Sequence, residues 1–256
     1  MKLIDTHAHL TFPELRDDLE GVLSRAAEVG VTEFITIGTD VENNRLALEL
    51  AADNEPIYAT VGFHPHDAKD ITPALLDEMK EQSFMEKVVA IGEIGLDYHY
   101  NLSPADVQKE IFRKQLEIAI DRKLPAVIHS REAFDDTMEI FESFGDDLPP
   151  IVVHCFGGNP QQAQMCINKG FYISFTGVVT FKNAQSARDA AVEVPPERLM
   201  VETDCPFMSP APMRKQKVNE PALMVHTAAK LAEINDMPLE KLAEITTANT
   251  KRFFNI

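Results

Sequence analysis

The chain has 256 residues, 45% of them hydrophobic and 25% charged, with a formal net charge of −17. This is the composition of a globular protein with a sizeable core. It excludes two classes: no apolar run approaches the ~18 residues of a membrane span, and a broad grip on nucleic-acid backbones needs a basic surface. Three cysteines (Cys155, Cys166, Cys205) form no CxxC pair, and no secretory signal pattern stands ahead of the first apolar run. Both observations predict a reducing, cytoplasmic setting with no membrane association.

Eight short apolar, β-rich runs follow one another at 2–6, 32–37, 57–61, 88–92, 125–129, 150–154, 170–174 and 198–202. Between them lie stretches of helical character, among them Leu15–Val29, Arg45–Asp53, Val107–Arg122, Ala133–Phe144, Pro160–Asn168 and Ala184–Ala191. In Val107–Arg122 the apolar residues Ile111, Phe112, Leu116, Ile118 and Ala119 recur near helical spacing with charges between them. Strands without polar alternation, separated by helices, argue a parallel sheet. Eight such units in one chain of about 250 residues predict an α/β (β/α)8 barrel, read as a single domain over 1–256. No GxGxxG turn follows the first strand, which disfavours a dinucleotide-binding sheet. The tail predicts extra helices at Ala222–Ile234, Pro238–Ile245 and Asn249–Phe254.

Polar residues concentrate at the C-terminal ends of these strands, where (β/α)8 enzymes build their active sites. His7 and His9 end the first, and strand parity aims both at one point. His64 and His66 follow the third, Glu93 the fourth, His129 ends the fifth, His154 the sixth, and Asp204 follows the eighth. Six of the eight histidines occupy such positions. Histidines kept for packing have no reason to gather at one rim, so the pattern predicts a metal site.

Four histidines and two carboxylates exceed the three protein ligands of a typical catalytic zinc and suit two ions sharing a carboxylate bridge. The predicted sets are His7, His9, Glu93 and Asp204 for one divalent ion, and Glu93, His129 and His154 for the other. Imidazole donors favour zinc, manganese, iron or cobalt, and the carboxylates admit manganese or magnesium. Glu93 and Asp204 are the predicted catalytic carboxylates, with Asp204 also the general base.

These residues stand in the motifs Asp5-Thr6-His7-Ala8-His9-Leu10, Gly62-Phe63-His64-Pro65, Gly92-Glu93-Ile94-Gly95-Leu96-Asp97-Tyr98, Ile128-His129-Ser130-Arg131, His154-Cys155-Phe156 and Glu202-Thr203-Asp204-Cys205-Pro206. Taken in order across nearly the whole chain, they resemble the TatD-related DNases, a metal-dependent branch of the amidohydrolase-like barrels. The resemblance implies hydrolysis of DNA phosphodiester bonds, often exonucleolytic, with two divalent metals, and its ligands fall on the same six residues. One stretch departs from it. Where the family usually has a short Arg-Gly-x-x-Asn-x-Pro-like loop, this chain has Met213-Arg214-Lys215-Gln216-Lys217-Val218-Asn219-Glu220-Pro221, without the glycine.

Substrate contacts are predicted at His64, Arg131 and Arg214, with Lys182, Lys215 and Lys217 as weaker candidates and DNA bound locally at the metal site. No obligate protein partner is evident. His64 reads alternatively as a residue orienting a ligand, and Arg131 as pairing with a nearby carboxylate. Asp5 and Glu202 share parity with ligands two residues away and are read as their supports, while Cys155, Cys205 and His226 are read as structural. His99, on the loop after Glu93, reads as a base contact or simply as an exposed residue, and Tyr98 and Tyr100 read as residues that could stack on bases. Two other functions share the same residues: an amidohydrolase or esterase, such as a deacylase of misacylated tRNA, and a non-catalytic scaffold on a barrel fold. Glu93 stands where many dinuclear amidohydrolases carry a modified lysine, which disfavours those but leaves a deacylase using the same metals open.

Overall fold

The structure, a computed structural model, describes residues 1–256. In chain order its elements are β1 (Leu3–Ala8), α1 (Pro13–Arg16), α2 (Leu19–Glu28), β2 (Val31–Thr36), α3 (Val41–Asp53), β3 (Ile57–Val61), α4 (Pro73–Gln82), β4 (Val88–Asp97), α5 (Ala105–Arg122), β5 (Ala126–Arg131), α6 (Phe134–Phe144), β6 (Ile151–Val153), α7 (Pro160–Asn168), β7 (Tyr172–Phe175), α8 (Gln185–Val192), β8 (Leu199–Val201), α9 (Met224–Ile234) and α10 (Leu239–Phe254). The eight strands form one sheet in the order β1 to β8. Every strand pair whose register is resolved is parallel. A bridge between Ala8 and Cys205 joins the first strand to the segment after the last. This is the (β/α)8 barrel that the alternation of runs predicts, with α9 and α10 as the added tail. No helix is long and apolar enough to cross a membrane.

The chain divides into two compact units, one of Met1–Thr36 with Cys155–Ile256 and one of Ile37–His154. In the first, β1 is buried along its whole length. Its register with β2 pairs Leu3 with Val31 and Asp5 with Phe34. α10 packs on β1 and β8; Asn249 anchors it by donating to the carbonyls of Pro196 and Leu199 at 2.7 and 2.8 Å. In the second unit, β4 is the long central strand, buried at all ten positions and paired with β3 and β5.

The structure differs from the predicted elements at four places. The helix expected over Leu15–Val29 is broken into α1 and α2 at Asp17-Asp18; short carboxylates favour helix ends over interiors, and Asp18 accepts from Arg25 at 3.0 Å. The two expected helices Pro238–Ile245 and Asn249–Phe254 are one, α10. Thr246, in the expected break, sits inside it, its hydroxyl donating to the Leu242 carbonyl at 3.0 Å. α4 was not singled out by periodicity, although Thr72-Pro73 marks its start: Thr72 accepts from the Leu75 amide at 3.3 Å. Finally, β4 does not stop at Gly92 but runs on to Asp97, pairing Ile94 with Ile128, Gly95 with His129 and Asp97 with Arg131. Gly95 permits this with φ +142°, and any Cβ there would lie 1.9 Å from the His129 carbonyl oxygen.

Two histidine–carboxylate clusters at strand ends

In the first unit, His7 is the penultimate residue of β1 and His9 lies just beyond its end, both buried. Backbone pairing with the segment after β8 sets their position: the Asp204 amide donates to the His7 carbonyl at 2.9 Å, and the His9 amide to the Cys205 carbonyl at 2.9 Å. The side chains then converge. His7 Nε2 is 3.3 Å from His9 Nε2, and Asp204 Oδ1 is 3.1 Å from His9 Nε2 and 3.7 Å from His7 Nε2.

Two buried carboxylates hold this cluster from behind. Asp5 accepts from the Thr203 amide at 2.9 Å and the Thr203 hydroxyl at 2.6 Å, tying β1 to the residue before Asp204. Burial pushes the Asp5 carboxyl up to about 7, against the hydrogen bonds from Thr203. Glu202 accepts from the Ser174 hydroxyl at 2.6 Å and the Cys155 amide at 2.7 Å, with a carboxylate oxygen within 4.8 Å of a His7 ring nitrogen. Asp5→Ala leaves a buried amide and hydroxyl unsatisfied, each worth about 1–3 kcal/mol. We expect a stability loss of roughly 2–4 kcal/mol in urea unfolding, with Asp5→Asn much milder because its carbonyl oxygen still accepts.

In the second unit, four strand ends contribute. Glu93 lies in β4, its amide donating to the Gly38 carbonyl at 2.8 Å. Its Oε1 is 2.8 Å from His129 Nδ1 and 2.6 Å from His154 Nε2, and those two nitrogens are 3.4 Å apart. His154, just after β6, is fixed by its amide bonding the Ile128 carbonyl at 3.0 Å. His64 Nε2 stands further off, 3.7 Å from Glu93 Oε1. His64 Nδ1 accepts from the His66 amide at 3.2 Å, and burial drives the ring's pKa down to about 3. A neutral ring whose Nδ1 accepts carries its proton on Nε2; His64, Glu93 and His129 also lie close enough together to hold an ion.

Asp97 was quoted in a motif but given no role. Its Oδ2 is 3.0 Å from His129 Nε2 and 3.2 Å from His66 Nε2, and its Oδ1 accepts from the Tyr100 amide at 2.8 Å. Burial alone raises its pKa, but the hydrogen bonds from His129, Tyr100 and His66 outweigh that and hold it well below the usual carboxylate range. Burial likewise disfavours the charged His129 ring, yet hydrogen bonds to Asp97 and Glu93 lift its pKa above the ordinary histidine value. A carboxylate on one ring nitrogen fixes the ring and makes the other nitrogen more basic, the usual arrangement behind a metal-ligating histidine. Strand parity could have found Asp97: it stands four residues beyond Glu93, on the same face of one strand.

The donor sets fit a divalent ion. Ligands about 2.1 Å from a metal in tetrahedral or octahedral geometry lie roughly 3.0–3.4 Å from one another. The separations are 3.1, 3.3 and 3.7 Å in the first cluster and 2.6, 2.8 and 3.4 Å in the Glu93, His129 and His154 set, close to that range on either side. The six predicted ligands therefore fall into two local groups.

The remaining candidates sit as follows. Arg131 is exposed, its guanidinium 4.9 Å above the Tyr100 ring. Arg214 donates to the Ser209 carbonyl at 3.1 Å and lies 3.7 Å over the Phe181 ring. Lys182, Lys215 and Lys217 are exposed. Tyr98 donates to Asp136 at 2.6 Å, and His99 pairs with Glu132 at 2.7 Å. Cys205 is buried as expected, while Cys155 is only half-buried, its sulfur 3.6 Å from the Thr176 hydroxyl. His226 is half-buried within α9.

Residues 4–255 match the family model for the TatD related DNases. The chain is 44% identical over 254 residues, 99% of both chains, to the metal-dependent hydrolase YabD of Bacillus subtilis. It is 33% identical over 258 residues, again 99% of both, to the Salmonella typhimurium protein named 3′-5′ ssDNA/RNA exonuclease TatD. Among solved structures, the TatD homologue YJJV of Escherichia coli superposes with a TM-score of 0.93 at 33% identity, over 99% of this chain and 98% of that one. A 2,6-dihydroxybenzoate decarboxylase shares the fold alone, at 14% identity and a TM-score of 0.61. With histidine–carboxylate clusters at the strand ends and relatives matched from end to end, the chain belongs to the TatD-related DNase family and is a metal-dependent hydrolase.

Proposed function

We propose that this enzyme is a divalent-metal-dependent exonuclease that removes nucleotides from the 3′ end of single-stranded DNA, using one cation in each cluster. The observation that carries the reading is the donor geometry: two compact sets of imidazole and carboxylate groups, each spaced for one ion. The name of the Salmonella relative supports the choice of substrate and polarity. When bound, such cations polarise phosphoryl oxygens and bring the pKa of water toward neutrality. Zinc and manganese suit these mixed donors best.

The chain's own groups do the rest. Asp204 keeps 11% of its side chain open to solvent and takes the proton of the attacking water. His64, neutral and carrying its proton on Nε2, donates to a phosphate oxygen. Asp97 holds the His129 ring in place through Nε2. A protein of net charge −17 binds DNA only through local contacts, so we expect weak binding that falls further as salt rises.

The test is cleavage of 5′-labelled single- and double-stranded DNA with manganese, magnesium or zinc. We expect stepwise shortening of single strands from the 3′ end, loss of activity in EDTA, and a fall of about a thousandfold in Asp204→Asn, the scale of losing several kcal/mol of transition-state stabilisation. Absence of DNA cleavage with every metal, alongside hydrolysis of an ester or aminoacyl-tRNA, would overturn the proposal in favour of a deacylase.

A further inference from the structure

Beside the first cluster stand two phenylalanines with no part in it. Phe207 follows Pro206 and is 48% exposed, the most open of the phenylalanines near a site residue. Phe12 is half-buried at the start of α1. Their ring centroids are 5.7 Å apart at 90°. Both rings also meet His9, Phe12 at 5.3 Å and Phe207 at 6.0 Å. The backbone fixes both. The Phe12 amide donates to the His9 carbonyl at 3.1 Å, the Phe207 amide to the Asp204 carbonyl at 3.0 Å, and Asn219 Nδ2 to the Phe207 carbonyl at 2.7 Å.

A singly exposed apolar side chain is ordinary on a protein surface. Here two aromatic rings are set at right angles, anchored through the carbonyls of two predicted metal ligands, and one of them is held open to solvent. Elsewhere the chain covers its exposed aromatics with cations: Arg122 lies 3.3 Å over Phe84, and Arg131 4.9 Å over Tyr100. A flat, uncharged, sequence-indifferent partner suits an open phenylalanine face, and nucleobases stack on aromatic side chains with little regard to sequence.

We propose that Phe207, backed by Phe12, stacks on the nucleobase adjoining the phosphate to be cleaved, and so positions the strand end at the His7–His9–Asp204 cluster. This inference rests on the exonuclease reading for its substrate. It adds the element that such a site lacks when its charged groups recognise phosphate alone: a hold on the base, independent of which base it is.

The test compares two single-stranded oligonucleotides made resistant to hydrolysis by phosphorothioate linkages, with manganese present. One carries fluorescent 2-aminopurine at its 3′ end and the other an abasic 3′ residue. Binding to the wild type should quench 2-aminopurine emission, and the abasic strand should bind about tenfold more weakly, the scale of one lost base–aromatic stack. Phe207→Ala should abolish the quenching and make the two strands bind alike; Phe12→Ala should weaken the preference, and Phe207→Trp should restore it. Quenching and preference that persist in Phe207→Ala overturn the stacking proposal, as does a wild type with neither. If the wild type stacks the base but cleaves no DNA, the exonuclease reading fails and the stacking site stands. If it cleaves single strands from the 3′ end without quenching or base preference, the reverse holds.

Discussion

Replacing Glu93 by glutamine should lower kcat/KM about a thousandfold or more and remove about one metal ion per chain, while the protein stays folded. One carboxylate oxygen meets His129 at 2.8 Å, His154 at 2.6 Å and His64 at 3.7 Å. Glutamine keeps the shape and loses the charge on which two or three imidazoles converge. A cation bound there loses its only anionic ligand within the cluster, and metal-assisted catalysis is worth several kcal/mol, or about three decades in rate. The fold should survive because His129 retains Asp97 on its other nitrogen, at 3.0 Å, so no buried imidazolium is stranded. Metal analysis after dialysis, circular dichroism and single-turnover kinetics together check the result. Normal metal content with full activity would remove Glu93 from the site.

Gly95→Ala should cost stability and activity together, through the backbone. Its Cβ would meet the His129 carbonyl oxygen at 1.9 Å and carbonyl carbon at 2.9 Å, from a φ of +142°. Backbone atoms of a paired strand cannot move aside as a flexible side chain does. Overpacking costs about 1–3 kcal/mol and a backbone in a glycine-only region about 1–3 kcal/mol more. In a chain of this size the sum of roughly 2–6 kcal/mol lowers the thermal midpoint by about 10 °C. The displaced residue is His129 itself, so metal affinity at that cluster should drop in parallel. A midpoint within a degree or two of wild type would show that β4 and β5 tolerate separation at this point.

The fold was legible because eight strands without polar alternation, each followed by a helix, leave few other arrangements. The clusters were legible because strand ends are where a sequence shows its chemistry: His7, His9 and Asp204 meet in one unit, and Glu93, His129 and His154 in the other. Asp97 was missed for a physical reason. The run 88–92 ends at a glycine, and a glycine pair normally closes a strand. The pairing of β4 with β5 runs through Gly95 and carries Asp97 to the back of His129, a continuation that parity from Glu93 would have suggested. The cation–ring pairs of Arg131 and Arg214 were equally invisible, since they join residues 31 and 33 positions apart with no periodicity to betray them. The two expected tail helices are one, with the Thr246 hydroxyl satisfied within α10, a continuity that propensity alone does not reveal.

The two clusters also differ in when they can come into being. His64, Glu93, His129 and His154 arise from one continuous stretch of chain, the unit Ile37–His154. His9 and Asp204 are 195 residues apart, joined through backbone pairing of the first strand with the segment after the last. Such distant closure carries the larger loop entropy. During synthesis the residues of the Glu93 cluster all emerge before Asp204 does, whereas His7 and His9 must wait for it. A cation captured there afterwards binds the finished protein and not the nascent one. Such a cation would join the first strand to the segment after the last and stabilise that closure by mass action.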